Sequence, residues 1–492
     1  MTDVLCVDVG STFTKAVLAD AASGELLATA THPTTRPDVL VGIAAVREQA
    51  EAQTGRPVDD ILVCSSAGGG LRLAVVGYER LVTAEAGQRV ALSAGGRVVH
   101  LSSGPLDSAG IAALRASRPD LIVLTGGTDG GNADVVVHNA RAIAIARLAP
   151  VVLAANVDAA HAASAELLGR GRRVTVTANV LPEIGVLDPL PARRAIREAF
   201  LAHVIGGKGL SRDTARLAGR TFAQLVRAAT PDAVLDGVGL LGLSAAQSLP
   251  AGTPGPAGVG EASVGEAGLG EDVLLVDVGG ATTDVYSVRS PERGTGEGQP
   301  ARQVVEPLWR ARTVEGDLGV RAGARGLVEA AVAEGLLIGE QATRLSAYAD
   351  QVGRFSAYPS QANRVKEDFS VELDGELAAL AILIAVRRHG RPDRPGAAPR
   401  PLREIHRVIG SGGVLRHADP RARAAILRPL LADHGGGWTV PDRAALSIDV
   451  HATLFAAGLL APSAPAAAAR LARAGLVSLD GADWPEHEKM AR

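Results

Sequence analysis

Two segments far apart in the chain repeat one short pattern: an apolar strand ending in Asp-Val-Gly, a turn rich in hydroxyl residues, then a second strand. The first is residues 8–15 (DVGSTFTK) after the apolar run 4–9, and the second is residues 277–284 (DVGGATTD) after the run 273–278. Each reads as a hairpin with a polar tip. The chain therefore holds a spaced internal duplication of a short unit, with no short-period repeat of the solenoid kind elsewhere.

The residue types at the tips suit a triphosphate with its magnesium ion. Such a ligand needs close backbone approach, hydrogen-bond donors and a carboxylate for the metal's water shell. Gly10 removes the side chain that would block a phosphate, and Ser11 and Thr12 bring hydroxyls. Asp8 and Asp277 come from two strands, and Mg²⁺ keeps several waters while taking one or two protein carboxylates. Lys15 lies one strand-length past the turn, within reach of a phosphate oxygen as a point charge. Gly279, Gly280, Thr282 and Thr283 form the second tip, with Asp284 as a candidate for orienting an attacking water. A third element follows the same logic: residues 406–409 read as a strand, 410–413 (GSGG) as a turn, and the chain from Val414 as a helix. One tip alone reads as an ordinary turn. Two tips in order, followed by GSGG, point to nucleotide phosphates.

Between the tips, apolar runs 121–124, 151–155 and 174–178 alternate with helix-like stretches 133–148 and 159–169, which argues for parallel βαβ units. Each run ends in a polar or glycine-rich turn, where ligands of open α/β sheets tend to sit. Residues 191–227 look helical and Arg-rich, and the Pro/Gly/Ala/Ser composition of 249–270 is that of a flexible linker. These features divide the chain into a first lobe (1–190 plus 446–492), a helical connector (191–250), a linker (251–270) and a second lobe (271–445). A second Pro/Gly-rich loop, 390–401 (GRPDRPGAAPRP), interrupts the second lobe. Its arginines read chiefly as solvated, with contact to something acidic as the alternative.

Composition excludes several classes. The 492 residues carry 47% hydrophobic and 21% charged residues and a net charge of -3, an ordinary globular balance without the basic field that attracts nucleic acid or a membrane surface. No leader is visible, so a cytoplasmic location is expected. The most apolar helical stretch, 377–386, is about ten residues, short of the ~20 a bilayer requires, and reads as a buried helix. Cys6 and Cys64 lie in or at the end of apolar runs without CxxC spacing, as small buried hydrophobes.

The order of first phosphate loop, second phosphate loop and later GSGG turn resembles the actin, Hsp70 and sugar-kinase superfamily. Within it, the blocks DVGSTFTK, CSSAGGGLRLAVVGYE (64–79), LTGGTDGGN (124–132), TANVLPEIG (177–185), VDVGGATTDVYSV (276–288), VEGDLGVR (314–321) and IGSGGVL (409–415) resemble the glutamate mutase L family, called MutL and unrelated to mismatch repair. The resemblance implies a two-lobed actin-like fold with ribonuclease H-like lobes and a nucleotide cleft between them. It implies an ATP-binding factor, ATP-hydrolysing in its fuller form, that acts as chaperone or reactivator of an adenosylcobalamin-dependent mutase; a homodimer is compatible with it. Gly410, Gly412 and Gly413 would lie along the adenosine, residues 179–185 would form a helix joining the lobes, and Glu183 would face the nucleotide from it. Rival readings are a small-molecule kinase with Asp129 or Asp317 as base, an iron–sulfur activator, for which Cys6 is poorly placed, and an ATP-dependent filament scaffold.

Overall fold

The computed structural model describes residues 2–10, 12–35, 37–66, 71–79, 82–93, 97–184, 186–200, 210–211, 214–242, 272–289, 310–354, 370–392 and 399–480. The linker expected at 251–270 and Ser11 lie outside these residues. Their strands form three sheets. In the first, β1 (Asp3–Val9), β2 (Phe13–Asp20) and β3 (Leu26–Pro33) make an antiparallel meander, extended in parallel by β4 (Asp60–Ser65). Between β4 and the next strand of that sheet is inserted an all-parallel sheet of β5 (Arg72–Gly77), β6 (Arg97–Ser103), β7 (Leu121–Leu124), β8 (Val151–Leu153) and β9 (Val174–Val176), in the order β6-β5-β7-β8-β9. Strand β10 (Val226–Ala229) then returns to β4 and closes the first sheet as β10-β4-β1-β2-β3.

The second lobe repeats the plan. Strands β11 (Val273–Val278), β12 (Thr283–Val288) and β13 (Arg310–Glu315) form the antiparallel meander, and β14 (Arg407–Gly412) and β15 (Ala445–Asp449) follow in parallel. Strand β16 (Leu476–Ser478) adds antiparallel to β15. A meander of three followed by two parallel strands, made twice, is the two-lobed actin-like architecture with ribonuclease H-like lobes.

Strand alternation decides which way the acidic residues face. On β1, Leu5, Val7 and Val9 enter the core of the first lobe, whereas Val4 and Cys6 enter a core shared between the lobes. On β11, Leu274, Val276 and Val278 enter the second lobe's core, and Val273 and Leu275 enter the shared one. With period two, Asp8 and Asp277 take the shared side. Lys15 follows Val17 and Ala19 to that side, and Asp284 follows Tyr286 and Val288.

The shared core is filled by two helices, Thr230–Leu241 (TPDAVLDGVGLL) and Thr453–Leu460 (TLFAAGLL), which are apolar and buried almost all round. They cross at backbone distance: a Cβ on Gly237 would stand 1.9 Å from the carbonyl oxygen of Leu454, and one on Gly458 1.8 Å from that of Ala233. A buried ion network braces the crossing. Arg193 and Arg197 of the helix Leu190–Phe200, and Arg310 of β13, converge on Asp236. Burial opposes its charge, yet the three guanidiniums hold the Asp236 carboxyl well below the usual range.

Three expectations change. Residues 226–229, read as part of the helical connector 191–250, form β10, because a four-residue run between two helices carries too little alternation to announce a strand. The chain from Leu446, assigned to the first lobe, completes β15 in the second sheet, then sends Thr453–Leu460 between the lobes, and returns as β16 on the second sheet. Residues 179–184 are not helical: Glu183 makes an isolated bridge to Val186, and the next helix starts at Leu190. Pro182 lies within this stretch and Pro189 follows it, and the residue before a proline is driven from the helical region. The run 377–386 is the buried middle of the helix Val371–His389, and no helix among the described residues is long and apolar enough to cross a membrane.

Candidate functional site at the paired hairpin tips

The two tips close in the same way. The Gly10 N–H donates to the carbonyl of Phe13 at 3.0 Å, and the Gly279 N–H to that of Thr282 at 2.9 Å. In register, Asp8 stands opposite Lys15 across β1 and β2, and Asp277 opposite Asp284 across β11 and β12. The strands therefore present a carboxylate one residue before each turn glycine's neighbour, twice, toward the same interlobe space.

There Asp8, Lys15 and Asp277 line one small cavity of about 30 Å³, together with Thr230, Arg416 and Asp449. Thr230, the first residue of the interlobe helix, donates its hydroxyl to Asp8 Oδ1 at 2.6 Å. Burial pushes the Asp8 carboxyl above the usual carboxylate range, with Lys15 and Thr230 pulling against it. Burial likewise raises Asp449, which sits at the end of β15 and accepts the backbone N–H of Thr453 at 2.9 Å. Arg416, and then burial, hold the Lys15 ammonium below its ordinary range, while Asp8, Asp277 and Asp449 oppose the shift. Three carboxylates and two cations thus share a confined space. The Cys64 thiol lies 3.9 Å from Asp8 Oδ1, and Cys6 is buried, its thiol pushed up to about 12.

A family model described as MutL protein matches residues 4–476. The curated Protein MutL of Clostridium tetanomorphum is 32% identical over 494 residues, covering 96% of this chain and 99% of that one. The chain belongs to the MutL family. Among solved structures it is similar to a diol dehydratase-reactivating factor in nucleotide-free form (12% identity, 93% of this chain and 99% of that one, TM-score 0.34). It is also similar to a ligand-bound xylulose kinase from Lactobacillus acidophilus (10% identity, 97% and 93%, TM-score 0.34). The fold of this MutL-family chain is defined by its strand order, independently of those overlaps.

The other candidate residues have more varied settings. The second tip is backed by residues 318–323: Val320 N–H donates to the Gly279 carbonyl at 3.1 Å, Arg321 N–H to that of Gly280 at 2.8 Å, and the Thr283 hydroxyl to the Leu318 carbonyl at 2.6 Å. Thr283 is fully buried by this contact, while Gly280 and Thr282 stay half-buried at the tip, as Thr12 does at the first. Asp284 is gripped by Arg312, whose Nε and Nη2 both donate to Oδ1, at 2.9 and 2.5 Å. Strand β14 runs through Gly410 to Gly412, past the start of the expected turn, and the helix Gly413–His417 begins at once. Gly412 has φ +108° and its absent Cβ would stand 2.1 Å from the Val278 carbonyl oxygen, so glycine there is demanded by packing against β11. Gly410 is buried among side chains and Gly413 is half-buried.

Glu183 is exposed in its turn and is not among the residues lining the cavity. Asp129 accepts from the Val157 N–H at 3.1 Å and the Asn179 amide at 2.9 Å, a local loop role, and Asp317 is exposed. Thr230, Arg416 and Asp449 were missed in the sequence. For Asp449 only a weak signal exists: it follows the alternating strand residues Leu446, Ser447 and Ile448, with no glycine turn after it.

Proposed function

We infer that this MutL-family protein binds ATP with magnesium at the paired tips and uses it to reactivate an adenosylcobalamin-dependent mutase. The observation that carries the nucleotide part is the convergence of Asp8, Lys15 and Asp277, from two sequence-remote hairpins, on one cavity. The donor set suits the ligand: Lys15 and Arg416 are cations for phosphate oxygens, and Asp8 and Asp277 are hard oxygen donors for the waters of a magnesium ion. Held by Asp8 and Asp277 through its waters, such an ion would supply charge neutralisation for the phosphates. Thr230 fixes the rotamer of Asp8 through its hydrogen bond. Lys15, with its ammonium made less costly to neutralise, meets the phosphates as a point charge. The tip peptides at Gly10, Gly279 and Gly280 offer close approach, Thr12 and Thr282 offer hydroxyls, and Gly413 begins the helix nearest the adenosine side. The mutase partner rests on membership of the MutL family.

Asp8→Ala and Asp277→Ala are expected to abolish magnesium-dependent ATP binding, and with it ATP-dependent recovery of an inactivated mutase co-purified with the chain, while the protein stays folded by circular dichroism. Unchanged ATP affinity in both variants would refute the site. Rapid phosphorylation of a metabolite by the purified protein, with no mutase present, would instead overturn the reactivator role.

A further inference from the structure

A second and larger cavity, of about 270 Å³, opens where the inserted parallel sheet faces the second lobe. Five guanidinium groups line it, those of Arg97, Arg312, Arg388, Arg391 and Arg400; among the described residues Glu315 is the one carboxylate on the wall, with Asp284 paired to Arg312 and Glu334 to Arg388 and Arg391 outside the lining. Arg97 starts β6 of the insertion, Arg312 lies on β13, Arg388 is in the last turn of the helix Val371–His389, and Arg391 and Arg400 come from the Pro/Gly-rich segment 390–401.

The forks on the second lobe are held in place from behind. Arg312 is bonded to Asp284 and lies over the Tyr286 ring, 5.8 Å from its centre. Arg388 donates to Glu315 at 2.7 Å and to Glu334 at 3.2 Å, and Arg391 lies 5.3 Å over the Trp438 ring. Arg97 differs: among the described residues its side chain has no hydrogen bond or ion pair. It reaches over the turn after β13, where a Cβ on Gly316 would stand 3.3 Å from its Nη1. A planar guanidinium with a fixed fork of donors matches phosphate oxygens bidentately, and several such forks converging from two bodies match a chain of phosphates. The volume falls just below the roughly 300–1,000 Å³ of drug-sized ligand sites, which suits a phosphate chain better than a whole nucleotide.

We propose that this cavity is an anion site for a polyphosphate group, held between Arg97 of the insertion and Arg312, Arg388 and Arg391 of the second lobe, and separate from the cavity at Asp8 and Asp277. The group comes either as a free polyphosphate or as the tail of a nucleotide whose base stays outside. Because Arg312 also holds Asp284, which stands opposite Asp277 in the second hairpin, a ligand on Arg312 bears on the strand pair that carries Asp277.

The test is calorimetric titration of the full chain with pyrophosphate and with tripolyphosphate, in the wild type, in Arg97→Gln and in Asp277→Ala. Arg97 is exposed, so its replacement leaves the fold intact. Loss of its charge-assisted bonds is expected to weaken polyphosphate binding by about tenfold or more, with magnesium-ATP affinity at the tips unchanged and polyphosphate binding retained in Asp277→Ala. Absence of binding by either probe, equal affinity in Arg97→Gln, or loss confined to Asp277→Ala would overturn the proposal. A non-hydrolysable ATP analogue separates the sources: two equivalents per chain, one removed by Arg97→Gln, identify the nucleotide tail, and one equivalent identifies free polyphosphate.

Discussion

His389 is fully buried at the end of the helix Val371–His389, its two ring nitrogens hydrogen-bonded to the hydroxyls of Thr313 and Ser287, each at 2.8 Å. Burial, and then the neighbouring Arg400, hold its pKa well below the ordinary imidazole value. The unfolded chain therefore binds the proton more readily, so the stability contributed is complete above the ordinary value and is lost as pH falls below it toward the depressed one. Urea midpoints are expected to drop between about pH 7.5 and about pH 5.5, and His389→Gln should flatten that part of the profile. An unchanged slope in the variant would rule the residue out. At this scale the sequence was legible where chemistry and local pattern coincide. Asp8, Lys15 and Asp277 stand out because each lies on an apolar strand beside a glycine turn. Thr230, Arg416 and Asp449 could not be found that way: a helix start, a short helix and a strand end bring them together only through tertiary register. The GSGG glycines carried a second, hidden reason, since Gly412 is set by the carbonyl of Val278.

Among the elements, the segment 318–323 has the most consequential support. Arg321, fully buried, donates from Nη1 and Nη2 to the two oxygens of Asp374 at 2.7 and 2.9 Å, and the Tyr348 hydroxyl donates to the same carboxylate at 2.8 Å. The pair anchors the segment whose N–H groups hold the second tip. Breaking a buried pair from one side costs about 3–5 kcal/mol, so Asp374→Ala is expected to lower the unfolding free energy by that order, whereas Tyr348→Phe, which removes the hydroxyl's bond to Asp374 and its acceptance of the Ser370 N–H, should cost about 2 kcal/mol. Equal, small losses in equilibrium denaturation would show that the pair does not anchor this loop. Both hairpins and the parallel strands β7, β8 and β9 of the insertion were legible from their periodicity, whereas β5 and β6 were not read as strands. Strand β10 was not, because Val226–Ala229 includes Arg227 and is only one turn-length long, and its place beside β4 depends on a partner more than a hundred residues earlier in the chain.

For the whole molecule, the duplication was readable but the join between its copies was not. Nothing in the runs around Gly237 and Gly458 distinguishes a helix crossing from an ordinary buried helix, yet those two glycines set how closely the lobes meet. Gly458→Ala would press a methyl onto the Ala233 carbonyl and should destabilise the protein by about 2 kcal/mol or more. Gly375→Ala is the control: its Cβ would meet only the Ile426 side chain, at 3.6 Å, and helix propensity favours alanine there by up to about 1 kcal/mol. A tolerated Gly458→Ala, judged by denaturant midpoint beside that control, would contradict the crossing. The contact also limits how the molecule can move. With backbone against backbone there is nothing soft to compress, so one sheet can change its angle to the other about this point but cannot approach it more closely, as scissor blades turn on a rivet. Thr230, which holds Asp8, lies seven residues from Gly237 along one blade, about 10 Å at the rise of an α-helix. A turn of about 10° at the rivet therefore shifts the hairpin tips by about 2 Å, comparable to the difference between a hydrogen bond made and one broken.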